Sequence, residues 1–283
     1  MMYEQRLGDQ MDYAPCQYGH SKLIFRGPKR EPEEDYSAVL GGSAVFGKLL
    51  KRPFPAQLEF NSGAQVINLG CVNAGIDSFY GDPSIIGLCS EAQVTVLQIL
   101  CAQNMSNRYY TVHPRRNDRF LAPSDKMRGL YPEVDFTRFS FTGHMLQTLQ
   151  ALSQERFQTV AQELRHSWVA RMRSLIGSIG GPVVLLWFED HPPSDEVGPD
   201  MIRPGKTFVL KDMIREVAAA CAGYCEVVFE QESLPETTSK AVITEGALEA
   251  MTQLPGPNAH AQAAKLLEPL IAPYLQLEAA ASM

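Results

Sequence analysis

The 283-residue chain is short of several features that assign a class at once. No apolar run approaches the ~20 residues needed to cross a bilayer. The first 35 residues carry Glu4, Arg6, Asp9, Asp12, Lys22 and Arg26 in place of an uninterrupted apolar signal core, so export by a cleaved leader is not expected. Positive charge is also scarce. Lys and Arg total 25 against 32 Asp and Glu, a formal net charge of −7, and nucleic-acid binding needs a basic surface that neutralises phosphates. The six cysteines, Cys16, Cys71, Cys89, Cys101, Cys221 and Cys225, form no CxxC pair and sit among apolar neighbours. They read as buried thiols of a reducing, cytoplasmic compartment. Cys221 and Cys225 lie one helical turn apart, but a zinc site needs two more ligands at suitable spacing, so neither a metal nor a cofactor is expected. Internal repeats, low-complexity tracts and interdomain linkers are missing as well.

What the chain does have is 45% hydrophobic and 20% charged residues, ordinary for a folded domain that buries a full core. Apolar runs at Tyr36–Gly41, Gln65–Leu69, Val94–Leu100, Pro182–Phe188 and 225–230 alternate with amphipathic stretches. Strand–helix alternation of this kind predicts an α/β fold, a three-layer parallel sheet with helices on both faces. Asp82–Glu91 predicts a helix with Pro83 in its first turn. Between Ser153 and Ser178, Phe157, Val160, Leu164, Trp168, Met172, Leu175 and Ile179 recur every three or four residues. That stripe predicts a long core helix capped by Ser153 and ended by Gly180, with His166 off the stripe and exposed. Further helices are expected at 141–152, 211–222, within 231–257, and from 254 through 275. Residues 1–35 read as an N-terminal arm and residues 36–283 as one domain. The Pro/Gly-rich stretch after Glu189-Asp-His191 reads as a loop as far as Gly205.

Three predicted strands end in polar or small-residue loops, where α/β sheets bind ligands. The first reads Leu40-Gly-Gly-Ser-Ala-Val-Phe-Gly47, a glycine turn that projects Ser43. Next come Arg52-Pro-Phe-Pro-Ala-Gln-Leu-Glu59 and Val66-Ile-Asn-Leu-Gly-Cys-Val-Asn-Ala-Gly-Ile76, and the third strand ends in Cys101-Ala-Gln-Asn-Met105. In this order the segments resemble the first blocks of the SGNH (GDSL-like) hydrolases. Over its whole length the chain is also similar to an uncharacterised domain of marine alphaproteobacteria, a likeness that implies no activity. The SGNH resemblance implies a flavodoxin-like topology with Ser43 as nucleophile and His260, before the last helix, as general base. It also implies an oxyanion hole from the Ser43 amide and an amide at Gln103 or Asn104. Two departures stand out. The second-block glycine falls on Asn73, with Gly75 two positions later, and the triad aspartate three residues before the histidine is replaced by Pro257. Asp190, or Glu189 beside it, is the candidate to orient His260 instead.

Between 107 and 120 lies the densest basic and aromatic segment, with Arg108, His113, Arg115, Arg116 and Arg119. Guanidinium forks match carboxylate, phosphate or sulfate oxygens, so a clamp for an anionic group beside Ser43 is expected, the alternative being a long loop whose arginines pair with Asp118, Glu133 and Asp135. The sequence therefore predicts a serine-dependent esterase or deacylase acting on an acylated sugar or lipid-like substrate. The alternatives are an acyl or sulfuryl transferase with an anionic donor held by the arginines, and a catalytically inactive binding domain.

Overall fold

The computed structural model describes residues 12–196, 208–232 and 254–275. The loop expected to end at Gly205 and the helix expected within 231–257 therefore lie largely outside the described residues. Chain order runs β1 (Tyr36–Gly41), α1 (Ser43–Phe46), α2 (Phe54–Ser62), β2 (Gln65–Gly70), α3 (Ile76–Tyr80), α4 (Pro83–Glu91), β3 (Val94–Gln98). A hairpin follows, β4 (Tyr110–His113) and β5 (Arg116–Pro123), then α5 (Asp125–Leu130), α6 (Thr142–Leu152) and α7 (Gln154–Ile179). The chain closes with β6 (Val183–Glu189), α8 (Lys211–Ala218), β7 (Gly223–Val228) and α9 (Pro257–Ile271).

The main sheet has the order β2-β1-β3-β6-β7 and every pairing in it is parallel. Both faces are covered because successive residues point opposite ways and are apolar on both sides. In β6, Val183, Leu185 and Trp187 join one core, and Val184, Leu186 and Phe188 join the other. The first core is closed by α3, α4, α7 and α8 and the second by α2 and α9. From β1 the chain winds outward to β2 and then crosses back to β3. The carboxyl ends of β1 and β3 therefore flank the topological switch point, the place where such sheets open a ligand crevice.

Local signals explain most boundaries. Asp82 caps α4 by accepting from the Ser84 and Ile85 amides, and Ser153 caps α7 by accepting from Arg156. Gly180 ends α7 at φ +69°. All seven stripe residues of α7 are buried and His166 is exposed. The segment expected as a loop from 107 to 120 is instead the antiparallel β4–β5 hairpin. Tyr110, Val112 and Phe120 point into the core, and His113–Arg116 make the turn. The N-terminal arm packs against the domain through Phe25, bridged on one side to Cys16 and on the other to Cys71 at the end of β2. Arg26, buried, donates to the carbonyls of Phe46, Gly47, Leu50 and Lys51 and so fixes the loop that follows α1. Among the described residues, no helix is long and apolar enough to cross a membrane.

Candidate functional site

Ser43 is set by the close approach of β3 to the end of β1. The Gln98 side-chain oxygen accepts from the Gly42 amide at 2.9 Å, and a Cβ on Gly41 would lie 2.6 Å from that same oxygen. Only glycine fits there, and the chain then turns into the single helical turn that carries Ser43, half-buried. Ser43 Oγ accepts a hydrogen bond from the Asn73 amide at 3.1 Å. Asn73 has φ +59°, a left-handed conformation that glycine adopts freely and asparagine tolerates better than other side chains. The resemblance places a glycine at this position, so the asparagine keeps the backbone shape and its donor.

Behind this pair, two loops are locked together. Buried Asn117 of β5 accepts through Oδ1 from Gly75 N at 2.9 Å, Ser78 N at 3.0 Å and Ser78 Oγ at 3.0 Å. Its Nδ2 donates to the His113 carbonyl at 2.9 Å. A Cβ on Gly75 would collide with the Asn104 carbonyl and lie 2.8 Å from Asn117 Oδ1. Asn104 is positioned by Thr142, whose hydroxyl donates to Asn104 Oδ1 at 2.6 Å, so the Asn104 NH2 is the donor end of that amide. Gln103 is buried, and its main-chain carbonyl accepts from the Tyr110 hydroxyl at 2.7 Å. Sequence reasoning missed Asn117. In the sequence it is a short polar side chain among the charged residues of 115–119, with no apolar alternation to mark it.

His260 does not sit as the resemblance implies. It is fully buried in the second turn of α9, packed against the rings of Phe54 and Phe188. Its Nδ1 accepts from the Phe54 amide at 2.9 Å, one of the amides at the start of α2 that has no partner within its own helix. With Nδ1 as acceptor, a neutral ring carries its hydrogen on Nε2, and that atom is buried without a partner. A base for serine needs the opposite tautomer with the far nitrogen bound to a carboxylate. Burial, helped by the charge of Arg26, lowers its pKa to about 3. The expected orienting acid is elsewhere: Asp190 bonds His191 Nδ1 at 2.7 Å and accepts from Gln231 at 3.1 Å. The structure thus brings Ser43 to Asn73 but bonds His260 to neither Ser43 nor Asp190.

Two arginines of the expected clamp, Arg108 and Arg119, bind elsewhere. Arg108 binds buried Glu163 of α7 through Nε at 2.6 Å and through its terminal nitrogen. Burial opposes the Glu163 charge, but the Arg108 and Ser167 bonds outweigh it and hold its pKa below the usual carboxylate range. Arg119 lies over the Phe141 ring, its guanidinium carbon 4.6 Å from the centroid. Arg116 stands 4.0 Å from Asp118, and the Arg115 amide donates to His113 Nδ1 at 3.2 Å across the hairpin turn. None of these contacts involves Ser43. The paired-arginine alternative is nearer the outcome for Arg108 and Arg116, with Glu163 in place of two expected partners, Glu133 and Asp135.

Residues 1–275 match the model of a family described as Domain of unknown function (DUF6473). No curated protein matches the chain. Solved structures similar to it include the lipase Lip_vut3 from a goat rumen metagenome, 12% identical, covering 86% of this chain and 100% of that one with a TM-score of 0.43. Another is a putative lipolytic protein of the G-D-S-L family from Desulfitobacterium hafniense DCB-2, 13% identical, covering 83% and 98% with a TM-score of 0.36. A third is AlinE4, an SGNH-hydrolase family esterase, 11% identical, covering 83% and 97% with a TM-score of 0.33. None of them assigns a role to a residue here.

Proposed function

We propose that this chain, which belongs to the DUF6473 family of unknown function, is an SGNH-like esterase or deacylase whose nucleophile is Ser43. The reading rests on one observation above all, the Asn73 amide 3.1 Å from Ser43 Oγ at the switch point of a parallel sheet. In an ester bound there, Ser43 Oγ attacks the carbonyl carbon and negative charge develops on the carbonyl oxygen within reach of the Asn73 amide. The Ser43 amide and the Asn104 NH2 are the further donors, each such donor contributing about 3 kcal/mol to transition-state stabilisation in a well-studied protease. The substrate is a small acylated sugar or lipid-like molecule. The catalytic unit is the domain over 36–283 with its arm over 1–35. Six free thiols fit a cytoplasmic enzyme, and no cofactor enters the reaction.

The test is labelling of the full chain with a fluorophosphonate, with the modified peptide mapped, alongside hydrolysis of p-nitrophenyl acetate. Labelling at Ser43 that is abolished in Ser43→Ala is expected. A chain that neither labels nor hydrolyses would support the second reading, a binding domain without turnover. That reading is favoured by the bond of His260 to the Phe54 amide, which removes the expected base. For a transferase with an anionic donor, two of the expected arginines are bound elsewhere, Arg108 to Glu163 and Arg119 over Phe141, which leaves Arg115 and Arg116 to hold the donor.

A further inference from the structure

Ser43 lies in α1, a helical turn of four residues, too short to hold its own shape. Within the turn Phe46 N donates to Gly42 O at 3.0 Å, and Gly47 N is shared between Ser43 O at 3.2 Å and Ala44 O at 3.1 Å. The carbonyls that follow need partners from elsewhere. Val45 O accepts from the Asn68 side chain at 3.0 Å. The next ones are met by the N-terminal arm. Buried Arg26 donates through Nη1 to Phe46 O at 3.3 Å and Gly47 O at 2.7 Å, and through Nη2 to Leu50 O at 2.7 Å and Lys51 O at 3.1 Å. The terminal N–H groups of the guanidinium are thus all directed at the chain leaving the Ser43 turn. Tyr13 of the arm adds a second tie. Its hydroxyl accepts from Leu49 N at 2.9 Å, and its ring packs against Phe46 and the Arg26 guanidinium. Leu49 stands at φ +71°, a left-handed conformation that a leucine keeps only where its surroundings impose it. One residue before Arg26, Phe25 bridges to Cys71, in the loop that carries Asn73. Two consecutive arm residues therefore brace the two loops that meet in the Ser43–Asn73 contact.

We propose that the N-terminal arm belongs to the catalytic apparatus, with Arg26 as the positioning residue that holds the Ser43 turn in register with the Asn73 loop. The inference rests on the reading of Ser43 as nucleophile. Arg26 acts through the carbonyls of Phe46 and Gly47 and takes no part in proton transfer. Two properties suit it to this task. A positive charge at the carboxyl end of a helical turn is favoured by the carbonyl dipoles. A planar fork with fixed donor directions spans carbonyls from 46 to 51, which a lysine ammonium, one point on a flexible stem, does not. Gln98 Oε1 holds Gly42 on the entering side and Arg26 holds Gly47 on the leaving side, so the turn is pinned at both ends. Releasing the leaving end lets Ser43 Oγ drift from the Asn73 amide, and a nucleophile displaced by about 1 Å loses rate steeply.

The experiment is fluorophosphonate labelling at Ser43, followed over probe concentration in wild type, Arg26→Ala, Arg26→Lys, Tyr13→Phe and Arg30→Ala, each at a temperature where its unfolding curve shows it folded. Arg26→Ala is expected to lower the maximal labelling rate about 10²-fold and Arg26→Lys about tenfold, with the half-saturating probe concentration unchanged. Guanidinium chloride at millimolar, non-denaturing concentration is expected to restore part of the rate to Arg26→Ala, where sodium chloride of equal ionic strength does not. Tyr13→Phe removes only the hydroxyl that accepts from Leu49 and is expected to slow labelling a few-fold, which serves as the readout if the Arg26 variants fold poorly. Arg30→Ala breaks a different arm contact, to Glu59 of α2, and is expected to label as wild type. Wild-type labelling rates in folded Arg26→Lys and Tyr13→Phe, with stability alone lowered, would overturn the proposal and leave Ser43 standing as nucleophile. Absence of labelling in the wild-type chain would instead remove the reading of Ser43, and this proposal with it.

Discussion

Ser43 and His260 come from opposite ends of the chain, and the same family pattern pairs them, yet their surroundings differ in kind. Ser43 stands just past a strand end, in a turn shaped by glycines and held by an amide of the neighbouring loop. His260 stands one turn inside a helix, with Ala264, Leu267 and Ile271 on the same buried stripe. Topology alone delivers a residue at the carboxyl end of a central strand to the crevice. A residue on a covering helix reaches it only in the right register, and a step of one or two positions turns the side chain into the core.

The sharpest way to break this contrast is His260→Ala. If the imidazole is a core group, its removal leaves a cavity against Phe54 and Phe188 and an unmet Phe54 amide, and unfolding in urea should show a loss of about 3–5 kcal/mol. Retained stability with lost activity would reverse the comparison. The acid response is a companion measurement. The folded pKa of His260 is depressed to about 3, so the unfolded chain binds the extra proton first as pH falls below ~6.5. The contribution of His260 is whole above that pH and is lost on descent towards 3, at up to about 1.4 kcal/mol per pH unit. His260→Phe should flatten this part of the stability profile.

On the other side of the contrast, Gly75→Ala forces a Cβ between Asn104 and Asn117. It should cost about 1–3 kcal/mol and slow labelling at Ser43, read by thermal unfolding and probe kinetics on the same sample. Ser43→Ala should abolish labelling while shifting stability by no more than about 1 kcal/mol, since only one half-buried hydrogen bond is lost. The smallest effect belongs to Asn73→Gly, which keeps the left-handed backbone and should move stability by a few tenths of a kcal/mol. Asn73→Val at that φ should cost about 1–2 kcal/mol, and a neutral valine would show that the loop is not held in this conformation.

The sheet was legible in the sequence because buried parallel strands read as short runs of Val, Ile and Leu, and α7 because its stripe and caps agree. The hairpin was not, since the arginines of 108–119 masked the inward alternation of Tyr110, Val112 and Phe120. The order of the strand-end loops brought out Ser43 and Asn73 through the resemblance, and it left Gln103 and Asn104 as alternatives. His260 carried a contrary signal in its apolar stripe, which the family pattern outweighed. Asn117 gave little, because its contacts depend on which loops the hairpin lands on, and that is settled far away in sequence.

The bond between the Phe54 amide and His260 joins residues 206 positions apart. As the chain is made from its amino end, α2 and the face of β6 that holds Phe188 are synthesised long before the segment that covers them. Until α9 arrives, Phe54, Leu58, Phe188 and the neighbouring valines of the second core have no lid. Such long-range closure is slow and leaves apolar surface open to other chains. Nascent chains stopped before Pro257 should accordingly depend on chaperones, and the fifteen-residue α9 acts as the latch that ends their exposure.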